Sequence, residues 1–211
     1  MNKPMRRLFF GLEIPAQIKA RLLKARAEVP GAKWQSAEQI HITLLFLGDV
    51  EEERLSAVCE AARHVPLAAF ELSVTCLGCF GQPCAPRNLW AGVQPVAPVA
   101  SLHSVIKGQM ENLGLTTESR AFRPHITLAR FKRRPGSVQS LLAEYGETAF
   151  GSFQVVQFVL FESEQRSGGP DYRTSHFAMW YRYLPKHPDR WTISNTATNG
   201  GLSILAATIY G

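Results

Sequence analysis

His41-Ile42-Thr43-Leu44 and His125-Ile126-Thr127-Leu128 are the same four letters written twice, at an offset of 84 residues (41 to 125) in a chain of 211. With six histidines in such a chain, chance alone supplies roughly 0.3 His-x-Thr tripeptides, so one copy would mean nothing and two with the same flanking letters are a signal. In a strand, successive side chains point to opposite faces. Ile and Leu therefore anchor each copy in a core, while His and Thr project together from the other face.

The surroundings repeat in the same order. Leu8-Phe9-Phe10-Gly11-Leu12 and Leu89-Trp90-Ala91-Gly92-Val93 share Leu, aromatic, any residue, Gly, aliphatic at an offset of 81, and third strands opening at Phe70 and Phe153 stand 83 apart. Between these landmarks the pattern alternates strand and helix. A strand over 7–14 ends at Pro15. A helical stripe of Ile18, Leu22, Ala25 and Val29 covers 16–29 and closes at Pro30-Gly31. A strand over 40–47 is followed by Asp49 as N-cap, with Glu52 at the capping-box position and Leu55, Val58, Cys59 and Ala62 on one face. A strand over 70–80 precedes a Gly/Pro-rich loop over 81–86. The second round predicts a strand over 89–93, a helix marked by Val99, Leu102, Ile106, Met110 and Leu113, a strand over 126–131, a helix over 137–145 and a strand over 153–162.

This reads as an internal duplication that builds two pseudo-symmetric lobes, packed as one bilobal domain over residues 1–185. An aromatic strand-like stretch over 172–183 closes that domain. Residues 186–211 form a C-terminal extension of unknown role, rich in Thr, Ser, Asn, Gly and Ala, with a small strand expected at 202–209.

Composition sets bounds on the partners. The chain is 45% hydrophobic and 19% charged, the profile of an ordinary globular protein, and no apolar run is long enough to span a membrane. Leu8 to Leu12 meets Glu13 too soon for a signal-peptide core, which predicts a cytoplasmic protein. The net charge of +6 permits a polyanionic partner without establishing one. Cys59, Cys76, Cys79 and Cys84 are expected as reduced thiols. Three of them, Cys76-x2-Cys79-x4-Cys84, have near-zinc spacing but lack a fourth ligand, so no metal site and no cofactor are expected.

If the lobes face each other across a pseudo-twofold axis, His41, Thr43, His125 and Thr127 surround one cleft. Two imidazoles with an unperturbed pKa near 6.5 allow one to act as base and the other as acid near neutral pH. Displacement at phosphorus needs both, and the threonine hydroxyls suit the nonbridging oxygens, where charge grows in the transition state. The plainer reading of one such pair is a buried strand histidine beside a threonine chosen for β-propensity, but two pairs in register weigh against it.

The remaining candidates are less specific. Arg120, Arg123, Arg130, Lys132, Arg133 and Arg134 crowd the second motif, where a solvated charged face competes with attraction for an RNA backbone. Strict alternation from His125 places Arg130 on the face away from the cleft, unless the strand bulges. His64 and His103 fall on helices and read as surface or boundary residues, and His187 has no motif partner. His176 falls on a strand near the cleft. Phe9 reads as core, and Tyr172 is a candidate for stacking a base.

These residues carry a family likeness. Over residues 6–183 the chain resembles the 2H phosphoesterase superfamily, and within it the bacterial RNA 2′,3′-cyclic phosphodiesterase (2′-5′ RNA ligase) family. The likeness rests on Arg7-Leu8-Phe9-Phe10-Gly11-Leu12-Glu13-Ile14-Pro15, on His41-Ile42-Thr43-Leu44-Leu45-Phe46-Leu47-Gly48 and on Phe122-Arg123-Pro124-His125-Ile126-Thr127-Leu128-Ala129-Arg130. The resemblance implies an α+β fold of two lobes, each an antiparallel sheet with helices, and a catalytic cleft between them. It implies hydrolysis of a 2′,3′-cyclic phosphate at an RNA end to a 2′-phosphate. The expected partner is such an RNA end, that of a tRNA fragment among the candidates, and the expected state is a monomer. His41 would be the proton donor and His125 the acceptor, with Thr43 and Thr127 holding the phosphate. A basic residue is frequent in the family at the place of Arg130, which with Arg123 would contact RNA. The tail beyond about Pro185 exceeds the family pattern. Two alternatives stand beside this reading: ligation of a 2′-5′ junction by the reverse reaction, and a non-catalytic RNA-binding module.

Overall fold

The computed structural model of the protein describes residues 3–132, 134–165 and 172–182. Nine strands and four helices follow in the order β1 (Met5–Glu13), α1 (Ala16–Leu23), β2 (Ala32–Trp34), β3 (His41–Glu51), α2 (Leu55–Arg63), β4 (Phe70–Gln82), β5 (Ala85–Gln94), α3 (Val96–Asn112), β6 (His125–Phe131), α4 (Gln139–Tyr145), β7 (Ala149–Val155), β8 (Gln157–Gln165) and β9 (Tyr172–Arg182). The chain is α+β: every strand pairing is antiparallel, and the helices carry apolar stripes against the sheet. On α3, Val99, Leu102, Ile106 and Met110 are all buried, the 3.6-residue period of a helix lying on a core.

Hydrogen-bonded neighbours run β7-β4-β5-β6-β3-β1-β8-β9, with β2 beside β6. The midpoint of that path is the junction of β6 and β3, the two strands that open with His-Ile-Thr-Leu. They are matched at one pair, Ile42 with Ile126. Reading outward from it gives β6, β5, β4, β7 on one side and β3, β1, β8, β9 on the other, which is the pseudo-symmetry. The third strands are exchanged: β4 from the first repeat joins the half built around β5 and β6, and β8 from the second joins the half built around β1 and β3. Each lobe thus contains chain from both repeats.

Several expected boundaries shift, for identifiable reasons. The strand expected over 153–162 is two, because the chain breaks at Val156: β7 pairs with β4 and β8 with β1. Phe70 and Phe153 are consequently in neighbouring strands of one half, with Leu72 opposite Phe153, and are not symmetry mates. Helix α1 stops at Leu23, short of Val29. The amides of Lys24, Ala25 and Arg26 bond to carbonyls three residues back, a tightened last turn that keeps Ala25 buried. Asp49 is no helix cap. It lies in β3 opposite Arg7, where the ladder satisfies its backbone, and a 3₁₀ turn at Glu52–Arg54 leads into α2. Residues 81–86 form a tight hairpin rather than a loop, with Gly81 paired to Pro86 and Gln82 to Ala85. Gly81 takes φ +94°, a conformation open to glycine. Residues 183–211, including the strand expected at 202–209, lie outside the described residues.

Candidate active site

The alternation expected of the two motifs is present. Ile42, Leu44, Ile126 and Leu128 are buried, while His41, Thr43, His125 and Thr127 are half-buried on the opposite face. Antiparallel pairing of Ile42 with Ile126 brings the amino-terminal end of each motif beside the carboxyl-terminal side of the other. The two histidines and two threonines are thereby gathered at the middle of the sheet, from strands 84 residues apart.

The two imidazoles have different surroundings. His125 Nδ1 is 2.7 Å from the Arg123 carbonyl oxygen. A carbonyl only accepts, so Nδ1 carries the proton and, in the neutral ring, Nε2 keeps its lone pair. The ring meets Phe80 edge-on at 5.1 Å and has Trp90 at 6.4 Å. Burial pushes the pKa of His125 below its ordinary 6.5. The Arg123 carbonyl works against that shift and the Arg130 guanidinium adds to it. A neutral imidazole with a free Nε2 is equipped to accept a proton. His41 lies against Phe9 and Phe161, with ring centroids 4.9 and 5.5 Å away, and its Nε2 is 3.1 Å from Thr43 Oγ1.

A cavity of about 670 Å³ opens over these strands. Thr43, His125, Thr127, Arg123 and Arg130 line it. His41 is not among the residues that line it; its contact is with Thr43, which is.

Residues 12–90 and again 93–172 match the family described as LigT like Phosphoesterase, so the duplication is visible in the family assignment itself. The chain belongs to the LigT-like phosphoesterase family. It is 32% identical over 170 residues to the RNA 2′,3′-cyclic phosphodiesterase of Archaeoglobus fulgidus, covering 79% of this chain and 96% of that one. Among solved structures, Escherichia coli LigT complexed with 3′-AMP superposes with a TM-score of 0.67 at 25% identity, over 83% of this chain and 98% of that one. A Thermus thermophilus protein superposes with a TM-score of 0.66 at 27% identity, over 81% and 95%.

This LigT-like phosphoesterase places Arg130 where simple alternation does not. Leu89 is opposite Ala129 but Trp90 is opposite Thr127, so Leu128 is an extra residue in β6. The bulge buries Leu128 and Ala129 in succession and returns Arg130 to the cavity face. The same device occurs in β3, where Phe10 is opposite Leu45 and Gly11 opposite Thr43, leaving Leu44 as the extra residue. It turns Phe46, the counterpart of Arg130 at the same offset of 84, into the cavity. One half therefore presents an aromatic ring where the other presents a guanidinium.

Arg120, one of the basic residues crowding the second motif, lines the cavity from the segment before β6. Two further lining groups escape a reading of the sequence. Arg87 arrives from the β4–β5 hairpin. His103, which the helical pattern reads as a surface or boundary residue, is half-buried and lines the cavity from α3. Its Nδ1–H donates to the Leu44 carbonyl at 2.7 Å, and its ring stacks on Phe122 with centroids 4.1 Å apart and planes parallel. No local signal marks these two residues, since only the packing of α3 and the hairpin brings them to the motifs. Phe9 is buried, as its strand position implies. The cysteines do not converge: Cys76 sits at an irregularity of β4 with φ +46°, Cys79 lies three residues on, and Cys84 is exposed at the hairpin turn. Among the described residues, no cluster of His, Cys, Asp or Glu is placed to hold a metal ion. The side chains of His176 and Tyr172, and all of Arg133 and His187, lie outside the described residues.

Proposed function

We propose that this enzyme opens 2′,3′-cyclic phosphate ends of RNA to 2′-phosphates by acid–base catalysis between His125 and His41. The activity is that of the named relatives. The observation that carries the mechanism is the fixed tautomer of His125, whose proton is held at Nδ1 by the Arg123 carbonyl while Nε2 remains open. A pKa lowered by burial keeps that nitrogen unprotonated at neutral pH.

In the reaction, His125 Nε2 takes a proton from water as the water oxygen bonds to phosphorus. The P–O3′ bond breaks, its electron pair stays on O3′, and His41 Nε2 donates the proton that O3′ needs. For this step His41 exchanges its contact with Thr43 for one with the leaving oxygen. Thr43 and Thr127 donate to the nonbridging oxygens, and Arg130 offsets charge that develops there. The protons return through solvent, restoring a neutral His125 and a protonated His41. Arg123, Arg120 and Arg87 supply the positive rim for an RNA strand such as a tRNA fragment. Residues 1–185 constitute the working unit, acting as a monomer.

An oligonucleotide ending in a 2′,3′-cyclic phosphate, incubated with the protein in chelator, tests the reading. Mass and phosphatase mapping should show addition of one water and a 2′-phosphate. An unchanged substrate, or a 3′-phosphate product, contradicts it.

A further inference from the structure

The twin bulges are closed by different groups. A bulge leaves its extra residue unpaired by the strand opposite, and a buried carbonyl then needs a donor from elsewhere. In β6 that donor is main chain: the Gln35 amide, just past β2, donates to the Leu128 carbonyl at 2.8 Å. In β3 it is a side chain: His103 Nδ1–H, reaching in from α3, donates to the Leu44 carbonyl at 2.7 Å. Both leucines are buried. One local problem is thus solved by a fixed amide beside Thr127 and by an imidazole beside Thr43.

The imidazole is itself held. Its ring lies parallel on Phe122 with centroids 4.1 Å apart, which fixes the ring plane and aims Nδ1–H. Leu44 directly follows Thr43, and Phe122 stands three residues before His125. A single ring of α3 therefore ties the approach to the second motif to the hydroxyl of the first. Thr43 Oγ1 is in turn 3.1 Å from His41 Nε2.

We propose that His103 is a positioning residue: by holding the Leu44 carbonyl it fixes the bulge that aims the Thr43 hydroxyl at the phosphate. The inference rests on the phosphodiesterase reading for the reaction and adds a residue of α3 that acts through Thr43. A carbonyl that loses its donor turns to find another, and the Thr43–Leu44 backbone turns with it. Displacing the hydroxyl by about 1 Å is enough to cost up to about 10²-fold in rate. Thr127, whose bulge is closed by the Gln35 amide, is indifferent to His103.

Turnover of adenosine 2′,3′-cyclic phosphate by the full chain tests the assignment as a double-mutant cycle. His103→Phe keeps a ring on Phe122 and removes the donor. It should lower kcat by about 10- to 100-fold and leave KM within about twofold. In a Thr43→Val background the same substitution should cost less than about threefold, and in Thr127→Val as much as in the wild type. His103→Asn, whose amide N–H stands where Nδ1–H does, should keep kcat within about threefold of the wild type. His103→Gln, with its amide one bond further out, should lose as much as His103→Phe and takes its place in the cycle if that protein does not fold. Equal losses in all three backgrounds overturn the proposal, because the ring would then serve packing alone. Full activity of His103→Phe overturns it too, as do equal losses in His103→Asn and His103→Gln. The backbone amide resonances of Thr43 to Phe46 read the bulge without substrate. The donor-less variant should displace them and His103→Asn should leave them near their wild-type positions; resonances that stay put in both overturn the proposal. A wild type that opens no cyclic phosphate, with resonances that move in this way, removes the phosphodiesterase and leaves the pinned bulge standing.

Discussion

Ile42 and Ile126 face each other across the antiparallel junction of β3 and β6, and both are fully buried. This pair is the hinge of the pseudo-symmetry: each isoleucine lies between the histidine and the threonine of its motif. Truncation at either position should therefore damage stability and site geometry together. We expect Ile126→Ala to cost about 2–5 kcal/mol in denaturant unfolding, as for other buried aliphatics. Activity per folded molecule should fall as well. An Ile126→Ala protein of wild-type stability would show that the junction is not close-packed.

The pH profile should follow the environment of His125. With its pKa held below 6.5, chiefly by burial, the acidic limb of kcat/KM should lie below pH 6.5. Arg130 disfavours the imidazolium, so Arg130→Ala should move that limb upward while lowering the rate. The linkage to folding has a defined sign. A histidine depressed in the native state binds fewer protons there than in the unfolded chain near pH 6.5. Its stabilising contribution is complete above 6.5 and is lost as the pH falls through that value toward the native pKa. A limb above 6.5, or one that Arg130→Ala leaves unmoved, contradicts this assignment.

The threonine hydroxyls should matter in the transition state more than in binding. Thr43→Val and Thr127→Val keep the shape and β-propensity of the side chain while removing a donor. Each should lower kcat by up to about 10²-fold with little change in KM. A change confined to KM would make the hydroxyls ground-state binders.

Gly78 and Trp90 test the aromatic wall beside His125. They pair across the β4–β5 hairpin, and a Cβ on Gly78 would come within 2.2 Å of the Trp90 ring. Gly78→Ala should cost about 1–3 kcal/mol and displace the indole, with a shift in tryptophan fluorescence and a loss of rate. Unaltered fluorescence and stability would show that the ring has room to move.

Much of this site is written in the chain, and its gaps have physical causes. The His-x-Thr repeat exposes its own geometry because strand alternation is local: two buried aliphatics and two projecting polar groups can be read from four letters. The bulges at Leu44 and Leu128 are not local in that sense. An extra residue is defined by what the neighbouring strand offers, and it reverses the face that strict alternation assigns to Arg130. His103 shows the same limit from a helix, since its period predicts which residues are buried but not which strand lies beneath. Exchange of the third strands between halves was likewise hidden, because β4 and β8 look alike whether they pair within their own repeat or with the other.

The central claim is the division of labour between the two histidines, and changing the leaving group tests it most directly. Rates for wild type, His41→Ala and His125→Ala should be compared on an RNA cyclic phosphate and on a cyclic phosphate ester whose leaving group is a nitrophenolate. On RNA, each substitution should cost about 10²–10⁴-fold. On the activated ester, His41→Ala should recover most of its loss, because a nitrophenolate departs without a proton, whereas His125→Ala should stay impaired because water still needs a base. Recovery by His125→Ala instead would reverse the assignment, and full activity of both variants on RNA would contradict the account altogether.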